Sequence, residues 1–161
     1  MEMTHPPTLR KPGTGKTFGI VGDVVRILVT GDETEGKFAT FETTVPPHCG
    51  PPLHTHSREQ ESFFVLEGEI TFQVGDERFV ARAGTFANMP IGSLHCFRNE
   101  TESPVKMLIT VVPAGFEKMF FEAGIPLEEG ATTAPAPTPA DFGKLMSVAP
   151  KFGIEIRVPS Q

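Results

Sequence analysis

The segment Pro51-Pro-Leu-His54-Thr-His56-Ser-Arg-Glu59-Gln-Glu61-Ser-Phe63-Phe-Val65 decides how this chain is read. His54 and His56 are two residues apart, so on a strand both side chains leave the same face. Glu61 follows after a gap long enough for a short kink, and its face continues through Phe63 and Val65. A further histidine, His95, arrives on a second segment that opens with Gly84 and the Pro90-Ile-Gly92 turn. Three of the five histidines therefore gather around one carboxylate. Imidazoles with a single carboxylate suit one divalent transition metal ion, Fe, Mn, Ni, Co, Cu or Zn, whereas calcium would take more oxygens. Glu59 is near enough to be an alternative ligand, and spacing favours Glu61.

Outward from this cluster the pattern is strand after strand. Val24–Thr30 is rich in β-branched residues, Gly31–Gly36 is a turn, and Lys37–Val45 is the next strand. Beyond Gly68 the apolar set becomes Ile70, Phe72 and Val74. That change of parity predicts a bend or bulge near Glu67-Gly68. Gly75-Asp76 closes a hairpin, Arg78–Arg82 returns, and Val105–Val112 is a long apolar strand. Short strands at this spacing predict a mainly β sandwich or barrel.

The flanks differ. Residues 1–17 are rich in Pro, Gly, Thr and Lys without periodicity and read as a mobile arm. Gly15-Lys16-Thr17 lacks the earlier glycine and the preceding strand of a phosphate loop, so Lys16 is expected in solvent. After residues 18–113, the proposed barrel, comes an extension over residues 114–161. Ala114–Ala123 places Phe116, Met119, Phe120 and Ala123 on one helical face, stopped by Gly124. Residues 125–137 read as a Pro/Ala/Thr linker. Thr138-Pro139 with Asp141 starts a second helix, with Phe142, Leu145, Met146 and Ala149 as its apolar stripe. Pro150 ends it, and Gly153–Val158 reads as a last strand. Both helices are expected to cover the barrel or a neighbouring subunit rather than form a lid over the metal site. The metal should accordingly persist without residues 125–161.

Composition narrows the classes. The 161 residues suit one domain with one core. A formal charge of −6 argues against nucleic acid. No run is long enough to span a bilayer, no export segment opens the chain, and two cysteines make no disulfide framework. A cytoplasmic protein is the expectation.

At this point a family resemblance rests on defined residues. Gly84, Pro90, Gly92, His95 and Asn99 meet all of Gly-x5-Pro-x-Gly-x2-His-x3-Asn, and His54, His56, Glu61 and Gly68 meet all but the first position of Gly-x5-His-x-His-x4-Glu-x6-Gly. His48 stands at that first position, with Gly50 nearby to take over its turn. These are the two signatures of the cupin superfamily. The chain resembles single-domain cupins of the cupin 2 type, and its extension resembles that of bacterial quercetin 2,3-dioxygenase-like proteins. The resemblance implies a cupin jelly-roll β-barrel with a short C-terminal helical extension, holding a metal inside through His54, His56, Glu61 and His95. It implies a metal-dependent dioxygenase acting on a small aromatic or enolic substrate, with Glu61 doubling as a catalytic proton acceptor. A metal-assisted isomerase, lyase or hydrolase, and a non-catalytic small-molecule-binding module, are the other readings.

Ligation needs neutral histidine, so affinity should fall below about pH 6. The expected substrate pocket is lined by Phe63, Phe72, Phe86, Phe97, Met107 and Ile109. His48 is a candidate acid or base near the site. Cys96 should face away from His95, and nothing near Cys49 activates a thiolate. Ser62, Phe64 and Leu66 should face outward, and a cover for this face makes a homodimer the expected assembly.

Overall fold

The β-branched and aromatic runs fold as strands, and the computed structural model describes residues 1–158. In chain order the elements are β1 (Thr17–Ile20), β2 (Asp23–Val29), β3 (Ala39–Val45), β4 (His54–His56), β5 (Gln60–Glu67), β6 (Glu69–Val74), β7 (Glu77–Arg82), β8 (Phe86–Met89), β9 (His95–Arg98), β10 (Val105–Val112), α1 (Lys118–Ala123), β11 (Ile125–Leu127), α2 (Pro139–Val148) and β12 (Ile154–Ile156). Alternation decides which side chains go in. Ala39, Phe41, Thr43 and Val45 of β3 are buried, as are Val105, Met107, Ile109 and Val111 of β10.

The strands form two antiparallel sheets. One runs β11-β1-β2-β3-β10-β5-β8 and the other β12-β4-β9-β6-β7. Their inner faces share one apolar core, in which Phe63 of β5 meets Phe72 of β6 at 5.1 Å and Phe97 of β9 at 5.9 Å between ring centroids. The mainly β, jelly-roll expectation holds, but the barrel does not close. The outermost strands of each sheet remain edges. The parity change at Glu67-Gly68 is the chain leaving one sheet for the other. Gly68 has φ +82°, and a Cβ there would lie 3.0 Å from the Val105 side chain.

The N-terminal residues are tied to the sheet. Arg10 pairs with Glu33 at 2.7 Å, Arg26 donates to the Thr14 carbonyl, and the Gly15 amide donates to Glu129. Lys16 lies over the Phe121 ring rather than in a phosphate cradle.

The C-terminal segment departs from its sequence reading in three places. First, α1 begins at Lys118, because the preceding Glu117 is buried and accepts from the amides of Gly31 and Gly115. Phe116, Met119, Phe120 and Ala123 are buried as expected. Second, the linker contains β11, which pairs with β1 at the sheet edge, where Pro126 breaks no ladder on its outer side. Third, α2 buries Leu145 and leads into buried Ala149 as expected and adds Val148, whereas Phe142 and Met146 are exposed. Leu145, Val148 and Ala149 sit at i, i+3 and i+4, and the chain then tightens to a 3-10 turn over Ala149–Phe152. The N-cap holds: the Thr138 hydroxyl accepts from the Asp141 amide, and the Asp141 carboxylate accepts from the Thr138 amide. The last strand also forms, as β12, and pairs along β4.

Candidate metal centre

Three elements bring the cluster together. β4 supplies His54 and His56, β5 supplies Glu61, and β9 supplies His95, which is in register with His54. Their donor atoms lie within 4.8 Å of one another. Glu61 Oε2 is 3.0 Å from His56 Nε2 and 3.2 Å from His95 Nε2. His56, Glu61 and His95 are buried, and His54 is partly buried.

Every histidine of the cluster has its other nitrogen engaged. His54 Nδ1 is 2.8 Å from the Pro52 carbonyl, and His95 Nδ1 is 2.9 Å from the Ser93 carbonyl. His56 Nδ1 is 2.7 Å from the buried carboxylate of Glu59. These bonds hold the proton on Nδ1 and turn each Nε2 toward the centre, as orientation of metal-binding imidazoles requires. Glu59 is thereby a supporting group, and Glu61 is the carboxylate of the cluster. His56 Nε2 is buried without a well-directed hydrogen bond, even with Glu61 close by. The donor set, its convergence and this orphaned nitrogen all fit a transition metal ion.

The electrostatics sharpen the picture for the ion-free protein. Burial opposes charge on His56, but Glu59 and Glu61 outweigh it and raise its pKa to about 9. Burial pushes His54 down to about 4. Burial also opposes the Glu61 charge, yet the imidazoles of His56 and His95 close beside it hold its pKa well below the usual carboxylate range. At neutral pH, His54 and Glu61 are therefore ready to ligate, and His56 must first give up a proton. The onset of acid weakening moves up from about pH 6 toward pH 9.

The signature residues outside the cluster build its frame. Asn99 is fully buried, its amide donating to the carbonyls of Val45 and Ser103 while its oxygen accepts from the Thr101 amide. His48 takes φ +60°, the conformation for which a glycine is the easy choice. Gly50 is required for a different reason, since a Cβ there would lie 2.1 Å from the Phe97 carbonyl oxygen. The His48 side chain is exposed and pairs with Glu102, so it is not a group of the site. Cys96 belongs to a groove with Gln73, Arg78 and Arg98, away from the centre. Burial and Asp23 raise the pKa of the Cys49 thiol, which keeps it unreactive.

A cavity of about 80 Å³ opens beside the cluster, with His54, His56 and Glu61 in its wall. Of the expected pocket residues, Phe97 and Ile109 line it, whereas Phe63, Phe72 and Met107 are buried in the surrounding core. Phe86 is 63% exposed on the edge strand β8 and is no pocket residue. Alternation cannot separate these cases, because it gives the face and not the position along the sheet. The sequence reading missed Phe116, Met119 and Phe120 from α1, Leu145 from α2, and Ile154 and Ile156 from β12, which complete the wall. The extension is therefore part of the site as well as a cover. It also missed Asp23, whose place beside Gly22 reads as an ordinary turn.

Comparison with known proteins agrees with this geometry. Residues 41–112 match the family model described as Cupin domain. The chain carries a cupin domain. Over 123 residues it is 28% identical to quercetin 2,3-dioxygenase of Bacillus subtilis, covering 76% of this chain and 36% of that protein. Over 144 residues it is 24% identical to quercetin 2,3-dioxygenase of Aspergillus japonicus, covering 85% of this chain and 41% of that one. The chain thus spans well under half the length of these curated relatives. An RmlC-like cupin from Shewanella frigidimarina superposes with a TM-score of 0.61 at 17% identity, over 72% of this chain and 99% of that one. That likeness concerns the fold. Among the described residues no helix is long and apolar enough to cross a membrane.

Proposed function

We propose that this cupin is a metal-dependent dioxygenase of the quercetinase type, acting on a compact aromatic or enolic molecule. The convergence of three imidazoles and Glu61, with His54, His56 and Glu61 in the wall of an apolar cavity, carries the reading. His54, His56, His95 and Glu61 would hold the ion. A bound transition metal supplies Lewis acidity toward a chelating enol and, when redox-active, electron exchange with O2. The chain's own residues do the rest. Glu59, Pro52 and Ser93 fix the imidazoles, and the walls of Phe41, Phe97, Phe116 and Ile109 exclude water from the reacting oxygens. Glu61 Oε2, held ionised, is the group positioned to take an enol proton.

The cavity favours small substrates. It has about half the volume, roughly 150 Å³, of a cavity that accepts benzene. A single-ring enol would enter with the mouth open, an acyclic enol would suit the space as it stands, and a flavonol would need far more room. The relatives named above support the oxygenase class. The test is metal content of the purified protein beside His56→Ala, followed by O2 uptake with hydroxypyrone and catechol substrates. About one ion per chain, lost in the variant, with O2 consumed on turnover is the expected result. Turnover without O2 uptake would replace the reading with Lewis-acid isomerase, lyase or hydrolase chemistry, and binding without turnover would make the protein a ligand-binding module. A cytoplasmic homodimer belongs to the same proposal. Phe64 and Leu66 of β5 and Phe86 of β8 are exposed on one sheet, with Phe64 and Phe86 in register, and sedimentation equilibrium would show whether a second copy covers them.

A further inference from the structure

The cavity has a second polar feature that the cluster does not use. Asp23, at the start of β2, is only 4% exposed, and its Oδ1 is buried without a hydrogen-bond partner. Thr43, on the neighbouring strand β3, is 2% exposed, and its Oγ1 is in the same condition. Both residues line the cavity shared with His54, His56 and Glu61. β2 and β3 pair with Val25 opposite Thr43 and Val24 opposite Thr44, so Asp23 and Thr43 are diagonal neighbours on one face, roughly 7–8 Å apart along the sheet. Leaving a buried carboxyl or hydroxyl unpaired carries the full desolvation penalty of the group. A chain tolerates that cost where a partner arrives from outside.

The backbone beside them is strained in the same place. The β1–β2 hairpin turns through Val21 and Gly22, with φ of +42° and +98°. Positive φ at both central residues belongs to a type I′ turn, for which Asn-Gly is the favourable pair. A β-branched residue there is an outlier, and Val21 also lines the cavity. Strain of this kind clusters at ligand sites.

We propose that Asp23 and Thr43 form a polar subsite in the cavity that receives a neutral hydroxyl or carbonyl group of a compact ligand, the rest of the ligand lying against the apolar walls. Burial raises the Asp23 pKa to about 8, so at neutral pH the carboxyl both donates and accepts. The Thr43 hydroxyl does the same. Such a pair discriminates by hydroxyl content: an analogue lacking the group leaves two buried polar atoms unpaired, whereas the alcohol satisfies them. The further step, that the opposite end of the ligand chelates a metal at the histidine cluster, rests on the proposed function, and the experiment separates the two.

Protein stripped with a chelator is titrated by calorimetry with phenol and with toluene, which match in size and differ in the hydroxyl. Metal-reconstituted protein is titrated with kojic acid and allomaltol, two hydroxypyrone chelators that differ only by a hydroxymethyl hydroxyl. Wild type should prefer the hydroxylated member of each pair by about tenfold, the equivalent of one net hydrogen bond of about 1.4 kcal/mol. Thr43→Val and Asp23→Leu should each bring the ratio toward one, leaving toluene and allomaltol affinity and metal content in place. Equal ratios in wild type and variants, or no binding of phenol to stripped protein, would overturn the subsite. Preference for phenol together with failure to retain metal or bind either pyrone would keep the subsite and overturn the metal reading. The Thr43→Val arm answers the question even if Asp23→Leu does not fold.

Discussion

Glu59 sits outside the donor set, yet it sets the state of His56. Its carboxylate is buried 2.7 Å from Nδ1, and that pairing both chooses the tautomer and, with Glu61, raises the proton affinity of the ring. Glu59→Gln should keep the fold, because the amide can still accept at its oxygen, but it removes the charge behind the imidazole. Loss of such a supporting carboxylate typically costs ten- to a hundredfold in metal affinity. Competitive chelator titration measures it, and unchanged affinity would reduce Glu59 to a packing residue. The raised His56 pKa makes a second prediction, whose sign follows from competition between proton and metal. The ring is protonated below pH about 9 and the ion binds the neutral form, so apparent affinity should fall about tenfold for each pH unit below that value. Calorimetry at pH 7 in two buffers of different ionisation enthalpy should report about one proton released per ion bound. No release would mean that His56 is already neutral. The four cluster residues were legible from spacing and type alone. The carboxylate next to them was legible only as a rival ligand, since sequence separation does not say which oxygen faces which nitrogen.

The β1–β2 hairpin shows what spacing conceals at the scale of an element. Its second strand follows from the β-branched run beginning at Val24, whereas β1 and the two-residue turn carry no comparable signal. Nothing in Val21-Gly22-Asp23 announces that the valine takes a left-handed conformation or that the aspartate points inward, because Gly-Asp is ordinary turn vocabulary. The left-handed conformation costs a residue with a Cβ roughly 1–2 kcal/mol, and asparagine tolerates it. Val21→Asn should therefore stabilise the protein by about 1 kcal/mol, raising Tm by about 2–4 °C for a chain of this size. A lower Tm would show that the valine's contacts in the cavity wall outweigh its strain. The helices give the opposite lesson. The cap of α2 was readable at Thr138 and Asp141, since capping is local chemistry. Its stripe was half right: Leu145 and Ala149 are buried and Val148 joins them, but Phe142 and Met146, which fit the same period, stay exposed because periodicity does not fix how wide the buried face is.

For the molecule as a whole, the ligand-bearing strand β4 is held in its sheet by a strand far away in sequence. β4 carries two of the four cluster residues, yet it is three residues long and meets β9 through the single register pair His54–His95. Its other side is paired along its full length by β12, from Ile154–His56 to Ile156–His54. Two further bonds extend this seam, from the Ser57 amide to the Gly153 carbonyl and from the Arg157 amide to the Leu53 carbonyl. Were the extension a cover alone, metal would survive its loss. The pairing argues otherwise. A chain ending after Gly124 loses β11, α2 and β12, leaves β1 and β4 as new edges, and opens the cavity wall made by Leu145, Ile154 and Ile156. Such a truncate should bind metal at least tenfold more weakly than the full chain and bind an apolar dye through its exposed wall. Full metal affinity with dye binding would restrict the extension to a covering role. Ile154→Asp in the full chain supplies the milder case: it keeps the strand's backbone but puts a charge at the cavity wall, so it should weaken the seam in the same direction with α2 still present.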